Sequence, residues 1–120
     1  RAAERDGGLQ TTPQMTPAEV ANRFGSGDVE VLDVRGASEW TAGHLPGVRN
    51  VPLGLLPDYL AELPRDKPLV LHCQSGGRSS IAASVLQAHG FDNVVNLKGG
   101  YKQWSEEKRE VVRGDVAHAL

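Results

Sequence analysis

The sequence predicts an α/β domain, a mostly parallel sheet with helices on both faces. Three observations point there. Short apolar runs at Val29–Val34, Pro68–His72 and Val94–Leu97 alternate with helix-like stretches along the chain, the order that builds a parallel sheet through helical crossovers. Polar or reactive residues, Asp33-Val34-Arg35 and Cys73–Arg78, follow two of these runs, at the strand ends where ligands bind in such sheets. The chain has 120 residues, enough for one domain with a real core and too few for two.

The elements follow in order. Thr16-Pro17-Ala18-Glu19 is a capping box with proline at the first helical position. Val20 and Phe24 lie on one face of that helix, and Gly25 and Gly27 stop it. Val29–Val34 reads as a buried strand. A weaker helix is expected around Ser38–Thr41, and Gly43–Val48 is a turn-rich connector. Asn50-Val51-Pro52 is a candidate short strand. Pro57 is expected to open a helix carrying Leu60 and Leu63, closed by Pro64. Pro68 stands at the first residue of the next strand, where no ladder donor is lost. A helix from Ser79 places Ile81, Ala82, Val85 and Leu86 on its apolar face and ends at His89-Gly90. After the strand Val94–Leu97, Gly99-Gly100 turns into a helix holding Tyr101 and Trp104. Trp104 and Phe24 are expected in the core, whereas Trp40 and Tyr59 either rim a pocket or pack. Glu106–Glu110 reads as a solvated helical face with i,i+3 and i,i+4 pairs.

Composition narrows the function. Aromatics are only 5%, so the core rests on Val, Leu, Ala and Ile. Thirteen basic against fifteen acidic residues give a net charge of −2, which excludes a strongly basic nucleic-acid grip and an acidic solvating tail. No apolar run approaches the ~18 residues of a membrane span. The single cysteine, Cys73, excludes an intrachain disulfide. Four scattered histidines lack ligand spacing, so no structural zinc is expected. The opening Arg1–Thr12 is polar and glycine-containing and reads as a linker from a longer polypeptide.

The chemistry concentrates where a strand meets Cys73, a small-residue loop, Arg78 and a helix. A cysteine reacts as its thiolate, and a helix N-terminus lowers its pKa. Gly76 and Gly77 let the loop curl and aim backbone amides inward as an anion cradle. Arg78 adds a permanent charge with a forked donor set, and Ser75 and Ser79 offer hydroxyls. His72 is expected on the other side of the strand, so activation is electrostatic and uses no Cys–His pair. A lone cysteine at a strand end reads as an inert buried thiol. The glycines and Arg78 together at a helix start reverse that reading.

Four ordered segments resemble the rhodanese, or sulfurtransferase, domain family. Leu32-Asp33-Val34-Arg35 with Glu39 resembles its first signature, and Gly43–Val48 with Asn50 and Pro52 its second. Cys73-Gln74-Ser75-Gly76-Gly77-Arg78-Ser79 resembles its active-site loop, and Leu97–Tyr101 with Trp104 its closing signature. The resemblance implies a five-stranded, mostly parallel sheet in a single domain over 13–110, between the linker-like 1–12 and a tail at 111–120. It also implies a double displacement. Cys73 takes the sulfane sulfur of a donor such as thiosulfate, sulfite leaves, and a thiophilic acceptor such as cyanide or glutathione removes the sulfur from the Cys73 persulfide. No cofactor beyond that covalent intermediate, and no metal, is implied. The loop amides of Gln74, Ser75, Gly76, Gly77 and Ser79, with Arg78, hold the donor's oxyanion and the terminal sulfur.

The loop Cys-x-x-x-x-Arg is one residue shorter than the Cys-x-x-x-x-x-Arg of family members and phosphatases that handle phosphate or arsenate, which favours sulfur transfer. A regulatory or docking module is the alternative, although such modules often lack the cysteine. Asp33 and Arg35 are candidate supports that pair or brace the loop, and a structural salt bridge with Glu39 or a loop amide is the favoured reading. Lys98 is either a source of positive potential or a solvated lysine, and His44 is expected to be a hydrogen-bonded structural histidine. The loop also resembles those of rhodanese domains fused to metallo-β-lactamase-fold enzymes, which implies glutathione as acceptor or product partner. The expected partners are therefore small molecules, not nucleic acid or membrane, in a reducing cytoplasm.

Overall fold

A computed structural model describes residues 12–24 and 26–114. The linker-like reading of the N-terminal segment, Gly25 as a helix stop, the core placement of the Phe24 side chain and the end of the C-terminal tail lie outside the described residues.

Five strands form one sheet: β1 (Gln14–Met15), β2 (Glu30–Asp33), β3 (Arg49–Asn50), β4 (Leu69–His72) and β5 (Val94–Leu97). Their order is β1-β5-β4-β2-β3, and every ladder between them is parallel. The helices are α1 (Pro17–Phe24), α2 (Ala37–Ala42), α3 (Gly77–Ala88) and α4 (Gly100–Glu106), with a 3-10 helix over Leu53–Glu62. No helix among the described residues is long and apolar enough to cross a membrane.

Strand alternation separates two apolar layers. Leu32, Leu69 and Leu71 face α3 and the 3-10 helix together with Ala82, Leu86 and Phe91. Val31, Val70 and Leu97 face the other way, toward Val20, Trp40 and Trp104. Each fully buried Leu or Val is worth about 1.5–3 kcal/mol over its exposed state, so a chain poor in aromatics still closes a core. The register pairs Asp33 with both His72 and Asn50. The carboxyl ends of the three strands are thereby level, and the Cys73 loop leaves β4, the middle strand of the five.

Local rules account for the starts of elements. In α1 the Thr16 Oγ1 accepts from the Glu19 N–H at 3.1 Å, and the Glu19 carboxylate accepts from the Thr16 N–H at 2.8 Å, the reciprocal capping box read in the sequence. Four expectations need correction. The two-residue edge strand β1 was not read, because Gln14–Met15 is too short to carry a period. The helix assigned from Pro57 starts at Leu53 as a 3-10 helix with Pro57 inside it. Helix α3 begins at Gly77, and its buried residues are Ser79, Ala82, Ala83 and Leu86; Ile81 is 55% exposed. Two alanines there let the helix approach the sheet closely, and alanine marks no face by hydropathy. Finally, α4 ends at Glu106, and Lys108 turns left-handed with φ 60°. That turn brings the Glu110 carbonyl to the Trp104 indole N–H at 2.8 Å and leads Val112 into an antiparallel bridge with His44. Glu107 consequently pairs with Arg109 at 2.8 Å, two residues away, and also accepts from Gln103 Nε2 at 2.8 Å, four residues back.

Candidate active site

Cys73 follows the central strand, and its side chain falls on the α3 face with Leu71. It is 1% exposed. The loop curls back at Gly76, whose φ of 132° is closed to side chains, and aims its N–H at Sγ over 3.1 Å. The Ser79 hydroxyl lies 3.6 Å from the same sulfur. Gly76 has no side chain to cap α3, so the sulfur occupies the place of a cap at a helix start, where unpaired N–H groups and the helix dipole favour negative charge. Burial pushes the Cys73 thiol up. The Ser79 N–H and hydroxyl, with the N–H groups of Gly76 and Ser75, outweigh that and hold it below its ordinary value. The result is a narrow ring of donors that favours the thiolate, the condition of a reactive cysteine. Ser75 and Gln74 are exposed, and Gly77 starts the helix.

A second helix start supports the loop from the opposite side. The first N–H groups of α4 donate to its carbonyls, Tyr101 to Cys73 at 2.9 Å and Lys102 to Gln74 at 2.9 Å. Gly100 makes this approach possible. Its φ is 60°, and a Cβ there would stand 2.7 Å from the Cys73 oxygen and 2.8 Å from the Gln74 oxygen. Gly100→Ala is therefore expected to cost about 1–3 kcal/mol of stability and to raise the Cys73 thiol pKa as the loop shifts. Denaturant titration and the pH profile of thiol alkylation check both.

Arg78 grips Glu39 of α2 through both nitrogens, Nη1–Oε1 at 2.7 Å and Nη2–Oε2 at 2.8 Å. The sequence points Glu39 to Asp33 or Arg35; the structure gives it to Arg78. Glu39 also accepts from the Gly36 N–H at 3.1 Å, so it joins the start of α2 to the start of α3. The Arg78 hydrogen bonds, against partial burial and helped by the Gly36 N–H, lower the Glu39 carboxyl to about 2. Because the folded value lies below the unfolded one, the pair's contribution is complete above about pH 4.5 and disappears as pH falls toward about 2. The stability gap between the parent chain and Glu39→Gln is expected to be constant above about pH 4.5 and to close below it, as urea titrations across that range will record.

Asp33 and Arg35 pair with each other beneath the loop. Arg35 Nε lies 3.0 Å from Asp33 Oδ1 and Nη2 2.8 Å from Oδ2, and both residues are buried. Arg35 Nη2 also donates to the Gly43 carbonyl at 2.7 Å, and its guanidinium stacks 4.3 Å from the Tyr101 ring centre. Asn50 ties the same turn by donating to the Asp33 and Arg35 carbonyls at 3.0 and 2.9 Å, a role its place in the second signature did not disclose. His44 is buried, stacked on Trp40 at 3.6 Å and 2.8 Å from the Trp40 carbonyl. Trp40 is itself buried, and Tyr59 packs half-buried on the α3 side. Lys98 is exposed; its N–H bonds the Met15 carbonyl at 2.9 Å, and its side chain joins no ion pair among the described residues. The structure thus brings together Cys73, Gly76, Ser79 and Arg78, seats Asp33 and Arg35 below them, and leaves Lys98 at the surface.

Comparison with known proteins gives the family and the fold. Residues 16–107 match the family model described as rhodanese-like domain. The chain is 40% identical over 89 residues to the uncharacterized protein YqhL of Bacillus subtilis, covering 74% of this chain and 71% of that one. It is 32% identical over 102 residues to the thiosulfate sulfurtransferase GlpE of Stutzerimonas stutzeri, covering 85% and 90%. Among solved structures, a rhodanese-related protein from Thermoplasma volcanium superposes with a TM-score of 0.75 at 31% identity, over 83% of this chain and 97% of that one.

Proposed function

The chain belongs to the rhodanese-like domain family, with sulfurtransferases among its relatives, and from that premise we propose that it moves a sulfane sulfur from thiosulfate to a thiol through a persulfide on Cys73. The Cys73 thiolate attacks the outer sulfur of thiosulfate. The new S–S bond forms as the old one breaks, and sulfite leaves with the bonding pair. The terminal sulfur of the persulfide carries the negative charge within the ring of N–H groups. An acceptor thiolate then attacks that sulfur, giving an acceptor persulfide and restoring the Cys73 thiolate; cyanide gives thiocyanate by the same step. No cofactor is called for.

The observation that carries this reading is the sulfur of Cys73 at the focus of the loop, 3.1 Å from the Gly76 N–H, with its pKa lowered. Arg78 keeps N–H donors beyond those given to Glu39 and is assigned to the donor's oxyanion. The relative named as a thiosulfate sulfurtransferase supports thiosulfate as donor. The loop's likeness to rhodanese domains joined to metallo-β-lactamase-fold enzymes makes glutathione the acceptor of choice. We assign small-molecule partners, not nucleic acid or membrane, and a reducing compartment such as the cytoplasm.

Intact mass spectrometry tests the reading in one series. Thiosulfate is expected to add the mass of one sulfur atom, and glutathione to remove it. A chain that never gains sulfur from thiosulfate, or that hydrolyses phosphate esters without sulfur transfer, overturns the reading.

A further inference from the structure

The residue before the nucleophile has a task of its own. His72 is the last residue of β4 and is fully buried. Its Nδ1 lies 3.1 Å from the carbonyl oxygen of Cys73. A carbonyl only accepts, so Nδ1 carries the hydrogen and the neutral ring leaves Nε2 bare. Nε2 has no hydrogen-bond partner. It faces Asp33 Oδ2 at 3.8 Å, a carboxylate already taken by Arg35. Burial, against the attraction of Asp33, lowers the pKa of the ring, so the ring is uncharged at neutral pH.

The carbonyl that His72 holds also accepts the Tyr101 N–H at 2.9 Å. Both of its lone pairs are thus engaged, one by its own strand and one by α4. The peptide is planar and trans, so pinning this oxygen fixes the plane of the first peptide of the loop. From that peptide the chain runs through Gln74 and Ser75 to the Gly76 N–H, which meets the sulfur three residues on.

We propose that His72 is a positioning residue for sulfur transfer: through its Nδ1–H it holds the Cys73 carbonyl, and so directs the loop amides onto the sulfur. The inference rests on the sulfur-transfer reading above. It also separates His72 from acid–base chemistry, because the ring acts on the backbone and never on the sulfur.

Two amide substitutions divide the ring's functions. Asparagine at 72 places its NH₂ where Nδ1 stands; glutamine places it where Nε2 stands. The rate of Cys73 alkylation by iodoacetamide against pH reads the thiolate and needs no sulfur donor. His72→Asn is expected to keep the parent profile. His72→Gln and His72→Leu are expected to move its midpoint up by about one unit, which is about tenfold less thiolate at a given pH below it. Far-UV circular dichroism identifies folded variants, and if His72→Leu does not fold, the Asn–Gln pair decides. Superimposable profiles for Asn and Gln, or an Asn profile displaced like that of Gln, overturn the inference. Failure of the parent chain to take sulfur from thiosulfate counts instead against the sulfur-transfer reading, because the alkylation profiles stand without it.

Discussion

A Cys73→Ser chain is expected to gain no sulfur from thiosulfate and to make no thiocyanate. Serine oxygen fits the same ring of N–H groups, yet a hydroxyl stays protonated at neutral pH, whereas the ring lowers the pKa of a thiol. The loss is on the order of 10⁴-fold or more, as for removal of other covalent nucleophiles. Fold and stability change far less. The two side chains are close in size, and a hydroxyl in the apolar layer around residue 73 costs about 1–3 kcal/mol at most. Intact mass after thiosulfate, a thiocyanate assay and a thermal melt separate the two effects. Sulfur uptake by the serine chain would place the carrier elsewhere.

The second large effect concerns stability. Arg35→Ala leaves the Asp33 carboxylate buried with only the residue 35 backbone N–H, at 2.9 Å, as a donor. Breaking a buried pair from one side costs about 3–5 kcal/mol, against roughly 5–15 kcal/mol for a whole small domain. Lysine at 35 recovers little, because the parent fork reaches both Asp33 oxygens and the Gly43 carbonyl at once. The double variant Asp33→Asn with Arg35→Met is expected to lose less than Arg35→Ala, since no uncompensated charge remains. Urea unfolding of the three variants and the parent gives the comparison. Equal stability of Arg35→Ala and the parent would remove the pair from the list of what holds the loop's foundation.

Most of the fold was legible because local rules decide it. Thr16 and Glu19 declare the start of α1, and the aliphatic runs declare the three longer strands. The strand–cysteine–glycine–arginine order of the loop was legible for the same reason: helix start, turn and nucleophile are neighbours in the chain. What was not legible is long-range pairing. Glu39 and Arg78 are far apart in sequence, and several arginines compete for one carboxylate; only the pairing of β2 beside β4, which brings the starts of α2 and α3 to the same edge of the sheet, chooses. The support from Gly100 was equally hidden, since a Gly-Gly pair announces a turn but not the carbonyls it must pass. The buried face of α3 was misread because alanine gives no hydropathic contrast, and Ile81 was placed inside on hydropathy alone.

Among the described residues the outermost strands of the sheet, β1 and β3, are two residues long each. A foreign polypeptide seeking to extend the ladder finds few free backbone groups there. Short rims of this kind blunt edge-to-edge self-association and amyloid-like stacking. The fully buried β4, whose Leu69-Val70-Leu71 run is best suited to template such growth, is enclosed on both flanks by β5 and β2.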